Sequence, residues 1–325
     1  MVQYGSAMGD LANQNASTAH NATGHNQGVE TVLRDALVRG DRALSGVTPV
    51  LAHLLASTGH SLVSDAVVAR LRGMLAHLSV QLLAASCPNG EAIDPEILDR
   101  FADELSEDSA VLSHCYALAM EGYLSERLEL RSQIDPILSP LLQELIASDQ
   151  PAVAELAMAS MAGQSRFIQS QRRMQMPLSE LPAELFHSVL RRCESHCQRY
   201  ELSTESGAVL ELKNGFDEGA SRVGLLARLV SSMRGGAQVA LDLEHAGLAL
   251  FASALSTMTR QPRELAVLAC HERQAARLAL TLRAAGLGEG AIEKQFLIVE
   301  PAEGMPSGLD TVSPERAFAL LKRST

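Results

Sequence analysis

The spacing of apolar residues is helical over most of the chain. From Val29 onward, leucine, alanine and other apolar residues recur at intervals of three and four, with polar residues between them. No run alternates apolar and polar residues as a half-buried strand would. The pattern predicts an all-α protein with helices near 29–44, 47–58, 62–86, 93–105, 108–132, 135–148, 151–175, 181–201, 204–234, 236–259, 262–286, 288–298 and 314–323.

Turn chemistry marks several of the helix starts. Asp94 precedes Pro95, and Ser313 precedes a proline, so each pair offers a capping side chain followed by proline at the first helical position. Residues 1–28, in contrast, form a polar tract with few apolar residues and almost no charge, which predicts a disordered tail. We therefore predict a disordered tail (1–28), a helical-repeat domain (29–298) that allows a subdivision near 133–150, and a linker with a short C-terminal helix (299–325).

The stretch 140–164, PLLQELIASDQPAVAELAMASMAGQ, indicates how the helices pair. Leu141 and Leu145 mark one apolar face, the turn SDQP follows, and an alanine-rich helix begins at Pro151. This arrangement resembles a HEAT-type repeat, in which small residues let the second helix approach its neighbour closely. One well-formed copy is present and no fixed period recurs, so we predict stacked antiparallel helical pairs in an irregular HEAT-like α–α superhelix.

A longer resemblance covers residues 133–287. The phrases QIDPILSPLLQELIASDQPAVAELAMASMAGQSRF, LEHAGLALFASALS and PRELAVLACHERQAARLALTLRAAGL resemble the alphaproteobacterial proteins grouped as domain of unknown function 2336 (DUF2336). The resemblance implies a helical, HEAT-like fold and a bacterial cytoplasmic setting. It implies no reaction, because the shared phrases contain no catalytic signature.

Charge and cysteine content narrow the classes of function. The net charge is -11 over 325 residues, which disfavours nucleic acid and anionic membranes as partners because both attract basic surfaces. The 5 cysteines are odd in number and show no framework spacing, which favours reduced thiols in the cytoplasm. The apolar run 73–90 contains His77 and Gln81 and therefore predicts a buried helix, not a membrane span.

A local excess of arginine interrupts this acidic chain. Between Arg166 and Arg199 lie six arginines and three glutamates. The excess predicts a surface that binds an acidic protein or peptide. The candidate contact residues are Arg166, Arg172, Arg173, Arg191 and Arg192.

The densest chemical cluster is HSVLRRCESHCQRY, residues 187–200. Cys193, His196 and Cys197 share one helix face with apolar residues, so they are predicted to point inward. As zinc ligands they would need a fourth group from another helix, such as His114 or Cys115. The alternative is structural, since buried cysteine packs as a small apolar residue.

A di-metal carboxylate site is the other metal hypothesis. It requires Glu-x-x-His pairs that face the interior of a helical bundle. Glu184 with His187, and Asp242 with His245, have a similar spacing. Both pairs fall on polar helix faces, so the pattern disfavours this site.

A further polar cluster is predicted in the interior. Glu244 falls in helical phase with Leu248 and Phe251, which predicts a buried acid. His271 and Glu272 fall near the apolar arc of the next helix. A buried acid must be paired or protonated, so these three residues are a candidate interior ion-pair cluster.

The sequence contains no phosphate-binding glycine loop and no nucleophile elbow. It predicts a non-enzymatic interaction module or regulatory scaffold that binds another protein or peptide and uses no cofactor. Two alternatives stay open: a metal-dependent helical enzyme or metal-binding protein, with zinc as the candidate cofactor, and a structural homo-oligomer.

Overall fold

The computed structural model describes residues 7–56, 65–87, 93–202, 207–271, 273–299, 301 and 304–322. Side chains are described from residue 28 onward, apart from 53–56, 208, 234 and 235. Within these ranges the chain is helical and contains no strand, and the helices pack on one another. The predicted all-α fold class is therefore confirmed.

The first helices in chain order are α1 (Ala7–Ala56), α2 (Asp65–Ser86), α3 (Pro95–Ser106), α4 (Ser109–Ser132), α5 (Pro140–Ile146), α6 (Pro151–Arg172) and α7 (Ala183–Arg199). They are followed by α8 (Ala208–Gly215), α9 (Arg222–Ser232), α10 (Leu243–Thr259), α11 (Arg263–Ala269), α12 (Ala275–Ala284), α13 (Glu289–Val299) and α14 (Pro314–Lys322). Short 3-10 helices span Leu178–Glu180, Glu218–Ala220, Arg234–Leu241 and Leu309–Thr311.

The predicted helix starts are confirmed where a side chain caps the helix. The Asp94 carboxylate accepts a hydrogen bond from the Glu96 amide at 2.9 Å, and α3 begins at Pro95. At α14, the Ser313 hydroxyl accepts one from the Arg316 amide at 3.2 Å. Each cap satisfies an amide that has no partner inside its own helix.

The single helix predicted over 204–234 is instead divided into α8, a 3-10 helix and α9. The Asp217 carboxylate accepts a hydrogen bond from the Gly219 amide at 2.8 Å, and the Ser221 hydroxyl accepts one from the Gly224 amide at 3.0 Å. These side chains compete with helical backbone bonds and end the helix locally. The predicted helix over 262–286 is likewise divided into α11 and α12.

The polar tract at the N-terminus differs from its prediction. A disordered tail was predicted over 1–28, but α1 begins at Ala7; residues 1–6 lie outside the described residues. The tract contains several alanines and no proline. Because extending an existing helix avoids the cost of nucleation, a helix formed after Val29 can continue toward the N-terminus.

The helices form two compact units. The first contains Met1–Arg42 and Glu272–Thr325, and the second contains Ala43–His271. The division does not fall near 133–150, where the sequence allows a subdivision, because α4, α5 and α6 all belong to the second unit. The segment 299–325, predicted as a linker with a short helix, belongs to the first unit, in which α14 packs on α12.

Polar contacts hold the first unit together across a long sequence separation. Arg316 donates to the Glu30 carboxylate at 2.6 Å. Gln274 donates to the Gly40 carbonyl at 3.0 Å, and Arg277 is paired with Asp41. Residues before 43 are thus joined to α12 and α14 by side-chain contacts that local sequence patterns do not predict.

The second unit is built around α2 and α4. Helix α2 packs against α3, α4 and α7, and α4 buries 13 of its 24 residues, so α4 is enclosed on most of its circumference. By length and composition, α2 is the one helix of the described ranges that could cross a membrane. Its Leu71, Met74 and Leu78 are fully buried in the core of this unit.

Candidate functional site

A buried glutamate on α4 lies between two buried arginines. Glu121 is fully buried, and Arg222 at the start of α9 donates two hydrogen bonds to its carboxylate, at 2.8 and 3.2 Å. Arg263 at the start of α11 donates two more, at 2.6 and 2.7 Å. Both contacts are two-point pairings between a guanidinium and a carboxylate, which is the strongest geometry for such a pair.

Polar groups from three further elements complete this cluster. The Glu180 carboxylate accepts from Arg222 Nε at 3.0 Å, and the Gln164 carbonyl oxygen on α6 accepts from Arg222 Nη1 at 3.2 Å. Ser253 Oγ on α10 accepts from Arg263 Nε at 3.0 Å. We call Glu121, Glu180, Arg222 and Arg263 the buried charge network. It contains two positive and two negative side chains and is balanced in charge.

The network fixes the protonation state of Glu121 and Arg222. Burial alone would raise the pKa of Glu121, but the charges of Arg222 and Arg263 outweigh burial and hold that pKa well below its usual range. Burial lowers the pKa of Arg222, but the negative charges of Glu121 and Glu180 raise it by more than burial lowers it. The pKa of Arg222 is therefore shifted upward. Glu121 and Arg222 therefore stay charged near neutral pH, so Glu121 is not available as a general acid.

A cavity of about 320 Å³ adjoins the network on the side of α6. We call it the α6 arginine cavity. Its lining includes Arg166, Phe167, Ser170, Arg173, Ser179 and Arg222. The Arg222 guanidinium lies over the Phe167 ring at 3.7 Å, so this arginine belongs both to the network and to the cavity wall.

The predicted arginines fall into three environments. Arg166 lies on α6 and Arg173 directly follows its last residue; both are exposed, line the cavity, and form no ion pair with any described residue. Arg172 is paired with Glu129 at 3.7 Å, and Arg192 is paired with Asp108 at 2.9 Å. Arg191 is exposed on α7 and is not part of the cavity lining. The structure therefore brings two of the five candidates together.

The predicted inward face of α7 is present. Cys193, His196 and Cys197 are all buried. However, His196 Nδ1 lies 3.1 Å from Glu104, and its ring packs between the rings of Phe101 and Tyr200, at 4.8 and 4.6 Å. Among the residues that the structure describes, no group of three or more His, Cys, Asp or Glu side chains could hold a metal ion.

The thiols of this region contact one another instead. Cys197 is hydrogen-bonded to Cys193 and to Cys87, which follows the end of α2. Hydrogen bonding to Cys193 and burial both raise the pKa of Cys197, and burial raises the pKa of Cys87 to about 11. Both thiols are thus protonated near neutral pH, which makes them poor nucleophiles. His114 and Cys115, named as fourth zinc ligands, lie on α4, where His114 Nε2 is 2.8 Å from the Glu180 carbonyl.

The predicted interior cluster of Glu244, His271 and Glu272 is wrong for Glu244. This residue is exposed, while His271 is partly buried and Glu272 lies outside the described residues. The reason is a break inside α10: Gly247 has φ 69° and ψ 162°, which is not helical. The helical phase that related Glu244 to Leu248 and Phe251 is interrupted at this glycine, so Glu244 does not lie on their face.

Sequence reasoning missed the residues that form the interior ion pairs. A signal was present for Glu121, because Leu118, Leu124 and Leu128 place it on the apolar side of α4. Arg222 and Arg263 gave no comparable signal. Each stands at the first position of a helix, where a long polar side chain is usually solvated.

Two other cavities lie in the second unit. One of about 690 Å³ is lined by Phe186 and Phe216, whose rings stack at 3.9 Å. Another of about 380 Å³ contains His114 beside Glu264, with 3.3 Å between the ring and the carboxylate. A hydrogen bond from His114 holds the pKa of Glu264 below its usual range. Neither cavity contains the arginines that the sequence singled out.

Comparisons of the chain with protein-family models, with curated proteins and with solved structures found no match. The resemblance to DUF2336 and the HEAT-like character of the fold therefore stay predictions.

Proposed function

We propose that the protein is a non-enzymatic interaction module or regulatory scaffold, and that its second unit binds an acidic protein or peptide at the α6 arginine cavity. The proposal rests on the exposure of Arg166 and Arg173 and on their lack of an ion-pair partner among the described residues. Both are exposed beside one cavity and lack an acidic partner among the described residues, in a chain whose net charge is -11.

The surrounding chemistry favours binding over catalysis. The charged groups behind the cavity form ion pairs with one another, since each arginine of the buried charge network is paired with a carboxylate. The polar side chains that remain available at the cavity are those of arginine, serine and Gln169, which can bind acidic groups and include no base.

The composition of the chain favours a particular class of partner and a particular compartment. An acidic chain favours a protein partner over nucleic acid or an anionic membrane. The 5 cysteines are free thiols, which favours a reducing cytoplasmic setting. Stacked helical pairs of the HEAT-like kind, as the resemblance to DUF2336 implies, would present an extended surface for such a partner.

Partner capture with paired charge reversals tests the proposal. The protein is cross-linked in native cells, and the enriched protein is purified and titrated against the wild type and two variants. The test variant combines Arg166→Glu with Arg173→Glu. The control combines Arg172→Glu on α6 with Arg191→Glu on α7, which makes the same change of charge at two exposed residues outside the cavity lining.

We expect the test variant to lose the partner and the control variant to retain it. Equal binding by both variants would refute the proposed surface. Zinc that co-purifies in a one-to-one ratio and is lost in Cys193→Ser, or a stable multimer in a solution mass measurement, would support the metal-binding or homo-oligomer alternative instead.

A further inference from the structure

The face of α6 that lines the cavity has a regular arrangement of donors. Arg166 and Ser170 lie on α6, and Arg173 caps its C-terminus, with its amide still bonded to the Gln169 carbonyl at 3.2 Å. Their spacing of four and three residues therefore places the three side chains on one face over two helical turns. The rise of about 1.5 Å per residue separates the two arginine backbones by roughly 10 Å, with Ser170 between them. Two flexible guanidinium groups can therefore converge on one group placed above the serine.

The charge of the cavity favours an anion. Among the residues that the structure describes, Glu180 is the one acidic residue in the cavity lining, and Arg222 already pairs with it at 3.0 Å. The buried charge network is balanced, so the excess positive charge of the cavity is that of Arg166 and Arg173. An uncharged or cationic ligand would leave this excess uncompensated.

The opposite wall adds further donor capacity. Ser179 is exposed at the cavity. Ser221 Oγ accepts a hydrogen bond from the Gly224 amide at 3.0 Å, so its own hydroxyl hydrogen is free to be donated to a ligand. The cavity thus combines guanidinium and hydroxyl donors, the chemistry that binds carboxylate and phosphate oxygens.

We propose that the α6 arginine cavity is a binding site for a single oxyanion group, a carboxylate or phosphate held between Arg166 and Arg173 over Ser170. This inference rests on the proposed function and specifies the chemistry by which the acidic partner is recognised. The oxyanion can come from an acidic side chain, from a phosphorylated side chain or from free phosphate, which share the same donors.

The site can be tested on the full-length protein with matched fluorescent peptides. The peptides consist of glycine and serine spacers around one central residue, which is phosphoserine, glutamate or glutamine, and orthophosphate serves as the free anion. Binding is measured by fluorescence polarisation. Arginine Nε–H resonances are recorded by NMR during titration with orthophosphate.

We expect the phosphoserine or glutamate peptide to bind and the glutamine peptide to be at least about tenfold weaker, because each charge-assisted hydrogen bond is stronger than its neutral counterpart. Combining Arg166→Gln with Arg173→Gln should weaken binding by at least the same factor. Arg172→Gln with Arg191→Gln should leave binding unchanged. A preference for phosphoserine over glutamate would identify a phosphorylated source, and equal binding an acidic side chain.

A second variant makes the test independent of any loss of arginine. Ser170→Glu places a carboxylate four residues after Arg166 and three before Arg173, where it should pair with both arginines and occupy the site. We expect this variant to fold, to melt at or above the wild-type temperature, and to lose peptide binding.

Several outcomes would overturn the inference. It fails if no probe binds, if the glutamine peptide binds as well as the charged peptides, or if the Arg172 and Arg191 control loses binding as strongly as the test variant. A captured partner that depends on Arg166 and Arg173 while every oxyanion probe fails would leave the proposed function standing and remove this inference alone. Oxyanion binding without a captured partner would do the reverse.

Discussion

The buried arginines of the charge network and the exposed arginines of the α6 cavity use the same side chain in opposite ways. Arg222 and Arg263 are enclosed and share the Glu121 carboxylate. Arg166 and Arg173 lie beside them in the same unit, without an acid among the described residues. An acid within reach, and not the local density of arginine in the sequence, therefore decides whether an arginine is structural or available to a partner.

The position of Glu121 explains why the two groups separate. It projects from α4, the central helix of the second unit, toward the starts of α9 and α11. Arg222 meets this carboxylate on the inner side of the cavity. Arg166 and Arg173 extend from α6 on the outer side and remain in contact with solvent.

The largest effect is expected when the shared carboxylate is removed. Glu121→Gln keeps the size of the side chain but leaves Arg222 with Glu180 alone and removes both carboxylate contacts of Arg263. We expect a loss of about 3–5 kcal/mol in the free energy of unfolding, because breaking a buried ion pair strands the partner charge. Urea denaturation measures this loss.

The matched control for this change is Glu126→Gln on the same helix. Glu126 is partly exposed and pairs with Arg70 at 3.1 Å, so its loss should cost less than about 1 kcal/mol. Equal losses at the two positions would show that the network contributes no more than a surface ion pair.

Lowering the pH should reduce the contribution of Glu121 to the free energy of unfolding. The pKa of this group is lowered by folding, so its contribution is fully present above the unfolded pKa of about 4.3 and decreases as pH falls below it. In that range the unfolded chain binds a proton that the folded chain does not. Relative to Glu121→Gln, we expect the wild type to lose about 1.4 kcal/mol of unfolding free energy per pH unit.

This dependence can be measured by urea denaturation of both proteins at a series of pH values between neutrality and the acid limit of folding. Carboxylates common to both proteins cancel in the difference. A difference that stays constant through the acid range would mean that the network does not hold Glu121 in its charged form.

The smallest effect is expected for the arginines of the cavity. Arg166→Gln and Arg173→Gln, alone or together, should change the free energy of unfolding by less than about 0.5 kcal/mol, because neither guanidinium has an ion pair with a described residue to lose. Thermal unfolding measures the change. A loss comparable to that of Glu121→Gln would show that Arg166 and Arg173 stabilise the fold as Arg222 and Arg263 do. It would contradict the distinction between the two groups of arginines.

Part of the candidate site could be predicted from the sequence. The arginine-rich segment 166–199 was visible as a departure from an acidic composition, and Cys193, His196 and Cys197 were correctly predicted to be buried. Glu244 was misplaced because the prediction carried one helical phase through Gly247. Gly247 adopts the positive φ that interrupts this helical phase, and the neighbouring residues do not predict that it does so.

Local sequence was sufficient to predict the all-α class, the capped starts of α3 and α14, and the inward face of α7. These features depend on periodicity and on side chains within one turn of each other, so they are local. Tertiary structure alone decided that Arg222 and Arg263 share Glu121, and that Arg166 and Arg173 do not. Arg222 and Arg263 lie 101 and 142 residues from Glu121 in sequence. Electrostatic pairing depends on distance in space, which only the packing of α4, α9 and α11 supplies.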